Sequence, residues 1–268
     1  RPPAPPPRAN VMLIESTYGD RTHESPQDAL SRLADVIART ARRGGMVVIP
    51  SFAVDRTEVI LLALRRLVRD GRIPSLPVYA DSPMALAVLD VYRRAITARD
   101  PEVRPEFESD DDPFDPGSLH ELRTPDESRS LNEADSPSII ISASGMATGG
   151  RVLHHLQRCL PDRRCAVVLP GFQAEGTRGR LLADGARTVK MLGRYIPVRA
   201  EVTVIDALSA HADGHELVAW LRQTPTEPDT AYLVHGEPNA AGAMAERLRT
   251  ELGWSAVVPD YGERVRVD

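Results

Sequence analysis

Met46-Val47-Val48-Ile49-Pro50 is the stretch on which the fold turns. It follows the pair Gly44-Gly45, which stops a preceding helix. An unbroken apolar run this short reads as a strand buried on both faces. Downstream, Asp55-Arg56-Thr57-Glu58 has the form of a capping box with Asp in place of Ser or Thr. The helix it opens carries Val59, Leu62, Leu67 and Val68 and ends near Gly71. The same rhythm extends outward. Upstream lie a strand at Val11-Met12-Leu13-Ile14 and a helix opened by Ser25-Pro26-Gln27-Asp28, with Leu30, Leu33, Ile37 and Ala41 at helical spacing. Downstream, strands are expected at 77–80, 138–142, 165–169, 198–205 and 231–234, with a closing strand pair. Helices are expected at 83–98, 149–160, 213–223 and 238–252. Such alternation specifies an α/β architecture.

Composition narrows the class. The chain has 268 residues, 33 Lys+Arg against 38 Asp+Glu, a formal charge of −5 and 42% hydrophobic residues. It is a folded protein rather than a disordered one. No apolar run approaches the ~20 residues of a membrane span. Mild acidity argues against coating nucleic acid through bulk charge, while leaving room for a local basic groove. Cys159 and Cys165 are too few for a disulfide framework, so a reducing cytoplasm is the expected location. The opening Arg1-Pro2-Pro3-Ala4-Pro5-Pro6-Pro7 lacks the pattern of a signal peptide and reads as a stiff connector, either a tail or the middle of a longer gene product. Basic residues are nearly all Arg, Lys190 being the only lysine. Residues 100–136, with Glu106, Glu108, Asp110, Asp111, Asp112 and Asp115 among prolines, read as a solvated acidic loop.

Four strand-to-helix junctions concentrate polar chemistry where α/β sheets place their ligands. Glu15-Ser16-Thr17-Tyr18-Gly19-Asp20 puts a carboxylate at a strand end, as base, metal ligand, histidine partner or simple cap. Ser142-Ala143-Ser144-Gly145-Met146-Ala147-Thr148-Gly149-Gly150-Arg151 leaves backbone N–H groups open before a helix, a cradle for phosphate or a tight structural turn. It is not a Walker loop, since no Gly-Lys-Ser/Thr follows. Leu208-Ser209-Ala210-His211-Ala212-Asp213 and Val234-His235-Gly236-Glu237-Pro238-Asn239 each set a histidine just past an apolar strand. An imidazole there can bind zinc or act as an acid near neutral pH. His154, His155 and His215 fall within helical patterns as surface or packing residues, and His23 and His120 fall in loops.

Taken in order, Glu15-Ser-Thr-Tyr-Gly, Ser144-Gly-Met-Ala-Thr-Gly-Gly, Ser209-Ala-His-Ala-Asp and Val234-His-Gly-Glu resemble the signatures of β-CASP metallo-β-lactamase-fold ribonucleases. The resemblance spans nearly all of residues 10–268. It implies the C-terminal part of a metallo-β-lactamase αββα sandwich with an inserted α/β β-CASP domain of parallel-sheet type. Residues 1–20 and 191–268 would form the first, and 21–190 the second. It further implies two zinc ions, with His235 a metal ligand. His211, held by Glu15, would be the general acid or a stabiliser of the scissile phosphate. The β-CASP domain would clamp single-stranded RNA. Ser51, Arg56, Ser144, Gly145, Thr148, Gly149, Gly150, Arg151 and Arg178 (or Arg180) would contact phosphates, which positions the strand rather than reading its sequence. Arg56 has an alternative as ion-pair partner of Asp55 or Glu58.

The chain departs from the family in one large respect. No H-x-H-x-D-H occurs anywhere in it, although a catalytic zinc usually takes at least three protein ligands. The chain alone is therefore expected to be inactive, an enzyme lacking its N-terminal metallo-β-lactamase half. The alternative is a metal-free relative that binds RNA or a catalytic partner. A third reading, a nucleotide-binding domain using Gly145 to Gly150, leaves both histidines unexplained. A chain lacking half its sandwich should expose an apolar face, which would pair with the missing half or with a second copy.

Overall fold

The computed structural model describes residues 3–107, 112–131 and 136–266. Glu108, Asp110 and Asp111 of the acidic stretch, and Arg1-Pro2 of the proline-rich start, lie outside the described residues. The strands are β1 (Val11–Glu15), β2 (Met46–Pro50), β3 (Val78–Asp81), β4 (Leu119–Glu121), β5 (Ser138–Ser142), β6 (Ala166–Pro170), β7 (Thr188–Met191), β8 (Arg194–Pro197), β9 (Glu201–Ile205), β10 (Thr230–Val234) and β11 (Ala256–Val257). The helices are α1 (Pro26–Arg42), α2 (Arg56–Arg69), α3 (Pro83–Thr97), α4 (Pro125–Ser130), α5 (Val152–Cys159), α6 (Arg178–Ala183), α7 (Gly214–Leu221) and α8 (Pro238–Arg247). They form two compact units, Glu24–Ala210 and the pair of segments Arg1–His23 and His211–Asp268.

The larger unit is built on a six-stranded sheet in the order β4-β3-β5-β2-β6-β9, parallel throughout. Every residue of β2, β5 and β6 is buried, which is why these strands read as unbroken apolar runs. Alternate residues serve opposite layers. Val47, Ile49, Ile139 and Ile141 pack with Leu33, Ile37, Leu64 and Leu86 of α1, α2 and α3. Val48, Ile140 and Val167 pack with Leu156, Leu160 and Leu182, from and just beyond α5 and from α6. Ser25 caps α1 by accepting from the Asp28 amide at 3.1 Å, as its sequence requires.

The expected capping box at Asp55 does not form. Asp55 has a left-handed φ of 61° and makes no side-chain cap. Its carboxylate receives the Tyr92 hydroxyl instead, and Glu58 turns inward. The acidic stretch is also more ordered than a solvated loop. It contains a 3₁₀ turn (Pro105–Phe107), β4 and α4. Arg93 draws Asp112 and Glu121 together at 2.7 and 2.5 Å.

The smaller unit is a parallel sheet, β1-β10-β11. Ile14, Ala231, Leu233 and Ala256 face a core with Leu217 and Leu221 of α7 and Met244 of α8. A π turn, Leu248–Leu252, extends α8 and ends at left-handed Gly253. The opposite sheet face pairs Leu13 with Tyr232 and Tyr232 with Val257. On this face Leu13 is 72% exposed and Val257 is exposed as well. Only β11 stands where a closing strand pair was expected among the described residues. By compactness the second segment of this unit starts at His211. The reason is that 201–205 completes the larger sheet, pairing with β6 from Ala166↔Glu201 to Pro170↔Ile205.

Candidate functional site

In the smaller unit, β1 delivers Glu15 to its carboxyl end, and Ser16, Thr17 and Tyr18 follow as buried residues. Ser16 Oγ donates to the Val234 carbonyl at 2.9 Å and ties the ends of β1 and β10 together. A methyl group at Gly236 would sit 2.5 Å from the Ser16 carbonyl oxygen, so only glycine lets this crossing close. The residue before it, His235, takes a left-handed φ of 62°. That conformation costs a non-glycine residue about 1–2 kcal/mol. The third participant arrives on the segment before α7. Asp213 accepts from the His215 and Glu216 amides at 2.8 and 2.9 Å and from the His23 amide at 2.8 Å. Burial opposes the Asp213 charge, but these three N–H donors outweigh it and hold the carboxyl below its ordinary value. His23 also reaches the His211 carbonyl at 3.0 Å through Nε2, a site contact its placement in a loop did not suggest.

Glu15, His211 and His235 thereby converge, their ligand atoms within 4.8 Å of one another. Glu15 Oε2 accepts from His211 Nδ1 at 3.1 Å and from the Thr17 amide at 3.2 Å. The Thr17 hydroxyl lies 3.1 Å from His235 Nδ1 and 3.4 Å from His211 Nδ1. The two rings stand 5.2 Å apart, tilted by 31°. Nδ1 of each imidazole is thus engaged within the cluster, which fixes the two rings. One carboxylate and two imidazoles are the donor types of hydrolytic zinc sites. They suffice for one ion at most, and no other such cluster occurs among the described residues. Thr17, which touches both histidines, was not singled out from sequence; its only signal was its place two residues past Glu15.

The larger unit gathers the other expected site residues around the loop after β5. Ser144 Oγ and Thr148 Oγ1 are 2.9 Å apart, and Ser144 Oγ accepts from the Thr148 amide at 3.2 Å. Thr148 and Gly150 are exposed, Ser144 and Gly149 half-buried, and Gly145 buried. Arg151 and Arg178, two of the arginines expected on phosphate, hydrogen-bond protein groups around the loop. Arg151 donates to Asp81 at 2.7 Å and to the carbonyls of Leu122 and Arg123 at 3.2 and 3.3 Å. Arg178 donates to the carbonyls of Ala147, Thr148 and Lys190 at 3.3, 3.0 and 2.7 Å. Arg56 is buried at the start of α2, and Glu58 has no hydrogen-bond partner on another residue, which removes one of the alternatives for Arg56. Ser51 is buried, its hydroxyl donating to the Phe52 carbonyl at 3.1 Å. A glycine-rich loop presents many bare carbonyls, and guanidinium groups satisfy them.

Behind the loop sits a buried network that the sequence did not reveal. Asp81 accepts from Ser128 at 2.6 Å and pairs with His155 Nε2 at 2.7 Å, in addition to Arg151. Burial raises the Asp81 carboxyl, but the bonds from His155, Ser128 and Arg151 prevail and hold it below its ordinary value. His155 is thus a buried partner of a carboxylate rather than a surface residue.

Comparison with known proteins agrees with this architecture. Residues 57–182 match the Beta-Casp domain, and 195–259 match the Zn-dependent metallo-hydrolase RNA specificity domain. The chain is 36% identical over 265 residues to Ribonuclease TTHA0252 of Thermus thermophilus, covering 99% of this chain and 60% of that protein. It is 37% identical over 255 residues to an RNase J-like protein of Methanocaldococcus jannaschii, covering 94% and 58%. It is 32% identical over 270 residues to the transcription termination factor FttA of Pyrococcus abyssi, covering 97% and 41%. The chain therefore spans between 41% and 60% of the length of these relatives. No helix among the described residues is long and apolar enough to cross a membrane. With both matched domains in order, a parallel-sheet insertion and a Glu–His–His cluster in the smaller unit, the chain belongs to the β-CASP family of metallo-β-lactamase-fold proteins.

Proposed function

We propose that this chain is the part of a zinc-dependent ribonuclease that supplies a general acid, a zinc ligand and an RNA-holding loop, working on RNA phosphodiester bonds in the cytoplasm. The observation that carries this reading is the meeting of Glu15, His211 and His235 in one cluster. Glu15 accepts the Nδ1 proton of His211 and so fixes the ring. The protonated imidazole then has Nε2–H to give to the leaving oxygen, a contribution of ~10²–10⁴ in rate. His235, its Nδ1 held at the Thr17 hydroxyl, would bind metal through Nε2. Zinc, when bound, would stabilise the charge that builds on the phosphate. The loop at Ser144 to Gly150 would hold the strand through the Ser144–Thr148 hydroxyl pair.

Two zinc ions need more ligands than this cluster offers. The rest would come from a further metallo-β-lactamase half seated on the Leu13 face, and the chain alone would not cleave RNA. The same shortage favours a second reading, a metal-free relative that grips RNA or a catalytic subunit. Cleavage and zinc content of the longer protein discriminate the two. On the first reading, His211→Ala abolishes most cleavage while zinc and RNA binding persist, and His235→Ala lowers zinc content. A longer protein that binds RNA but holds no zinc and cuts nothing supports the second.

A further inference from the structure

We infer that Phe52 is a stacking platform for a nucleobase of single-stranded RNA, set beside the loop that would take the phosphates. The inference rests on the RNA reading above and adds a contact to the base, where the groups considered so far address only the backbone. Of the four phenylalanines, Phe114 is core, Phe107 and Phe172 are half-buried, and Phe52 is 48% exposed. Its ring lies against Gly145. A methyl group there would come within 2.8 Å of Cδ2 and 2.9 Å of Cε2, so a side chain at position 145 would displace the ring.

The backbone beneath the ring is fixed. The Ser51 amide donates to the Ser142 carbonyl at 3.0 Å, and the hydroxyls of Ser51 and Thr57 both donate to the Phe52 carbonyl, at 3.1 and 3.0 Å. An aromatic ring held in place, half open to solvent, loses little conformational entropy when a base lies on it. Gly145 directly follows Ser144, whose hydroxyl pairs with Thr148. A π-face and a set of phosphate donors therefore stand side by side, the two chemistries that successive parts of one nucleotide present. Stacking of this kind is tolerant of sequence, because every base has a π-face.

The test uses the whole chain, short fluorescent RNA oligonucleotides, and matching oligonucleotides whose sugars carry no base. Phe52→Leu should weaken binding of the base-bearing RNA roughly five-fold or more, the lower end of what one lost stack gives. It should leave the abasic strand unaffected and the salt dependence unchanged, because phosphate contacts set that slope. Phe52→Trp should restore affinity, and the new indole emission should be quenched by the base-bearing strand alone. This rescue separates stacking from a damaged loop. Equal losses on both strands, or no loss on either, would overturn the platform. A wild-type chain that binds neither strand would instead remove RNA as the ligand, and the stacking assignment with it.

Discussion

Glu58→Gln should stabilise the larger unit, and more strongly as pH rises. Glu58 occupies the first turn of α2, is 3% exposed, and has neither carboxylate oxygen bonded to another residue. A helix N-terminus favours a carboxylate by about 0.3–1 kcal/mol. Burial outweighs that here, with Asp55 adding like charge, and the Glu58 carboxyl is pushed up from 4.5 to about 7. At about 1.4 kcal/mol per pKa unit, the ionised form costs the fold about 3 kcal/mol. The sign follows from proton counting. Between the unfolded and folded values the native state binds more protons, so stability falls as pH climbs through that window, and the whole penalty is present above about pH 7. Gln keeps the shape and removes the titration. Urea unfolding followed by far-UV circular dichroism should show the Gln variant's advantage growing by about 2–3 kcal/mol between about pH 5 and pH 8. An advantage that does not change with pH would refute the assignment of a buried, unpartnered Glu58.

Other consequences test the remaining contacts. Asp81→Ala leaves His155 and Arg151 without their carboxylate and should cost about 3–5 kcal/mol by urea titration. The Asp81 carboxyl lies below its ordinary value, so its contribution is full above the unfolded value near 3.8 and fades as pH falls through the folded one. The Ala penalty should shrink accordingly in acid. Gly236→Ala sets a methyl against the Ser16 carbonyl; loss of stability in the smaller unit and displacement of the His235 imidazole signal by NMR are the expected readouts. Leu13→Gln should reduce self-association of the chain in sedimentation experiments without altering its circular dichroism, because Leu13 is exposed.

Much of this architecture is legible in the sequence where burial leaves a one-dimensional mark. β2 and β5 are readable because strands covered on both sides carry an unbroken apolar run, Met46 to Pro50 in one and Ile139 to Ile141 in the other. β4 spans three residues, one of them a histidine stacked on Tyr79, and short edge strands leave no such pattern. The capping box at Asp55 misleads because a tertiary partner, Tyr92, claims the side chain that a local rule assigns to the helix. In the site, Glu15, His211 and His235 stand out as ionisable groups at the ends of apolar strands. Thr17 and Asp81 do not, since a threonine and an aspartate at such ends are ordinary until folding brings their partners from 194 and 74 residues away. The arginines show the converse. Their charge suggests phosphate, yet the loop carbonyls and Asp81 engage the guanidinium groups of Arg151 and Arg178.

The most direct test of the site is cleavage, by a protein that joins this chain to the proposed N-terminal half, of RNA in which sulfur replaces the oxygen that leaves. A thiolate departs without being protonated, so an acid has nothing to contribute to that substrate. If His211 is the proton donor that Glu15 orients, His211→Ala slows cleavage of ordinary RNA by ~10²-fold or more and leaves cleavage of the sulfur substrate nearly intact. Equal slowing on both substrates would contradict the general-acid role and leave His211 as a residue that only holds the site together.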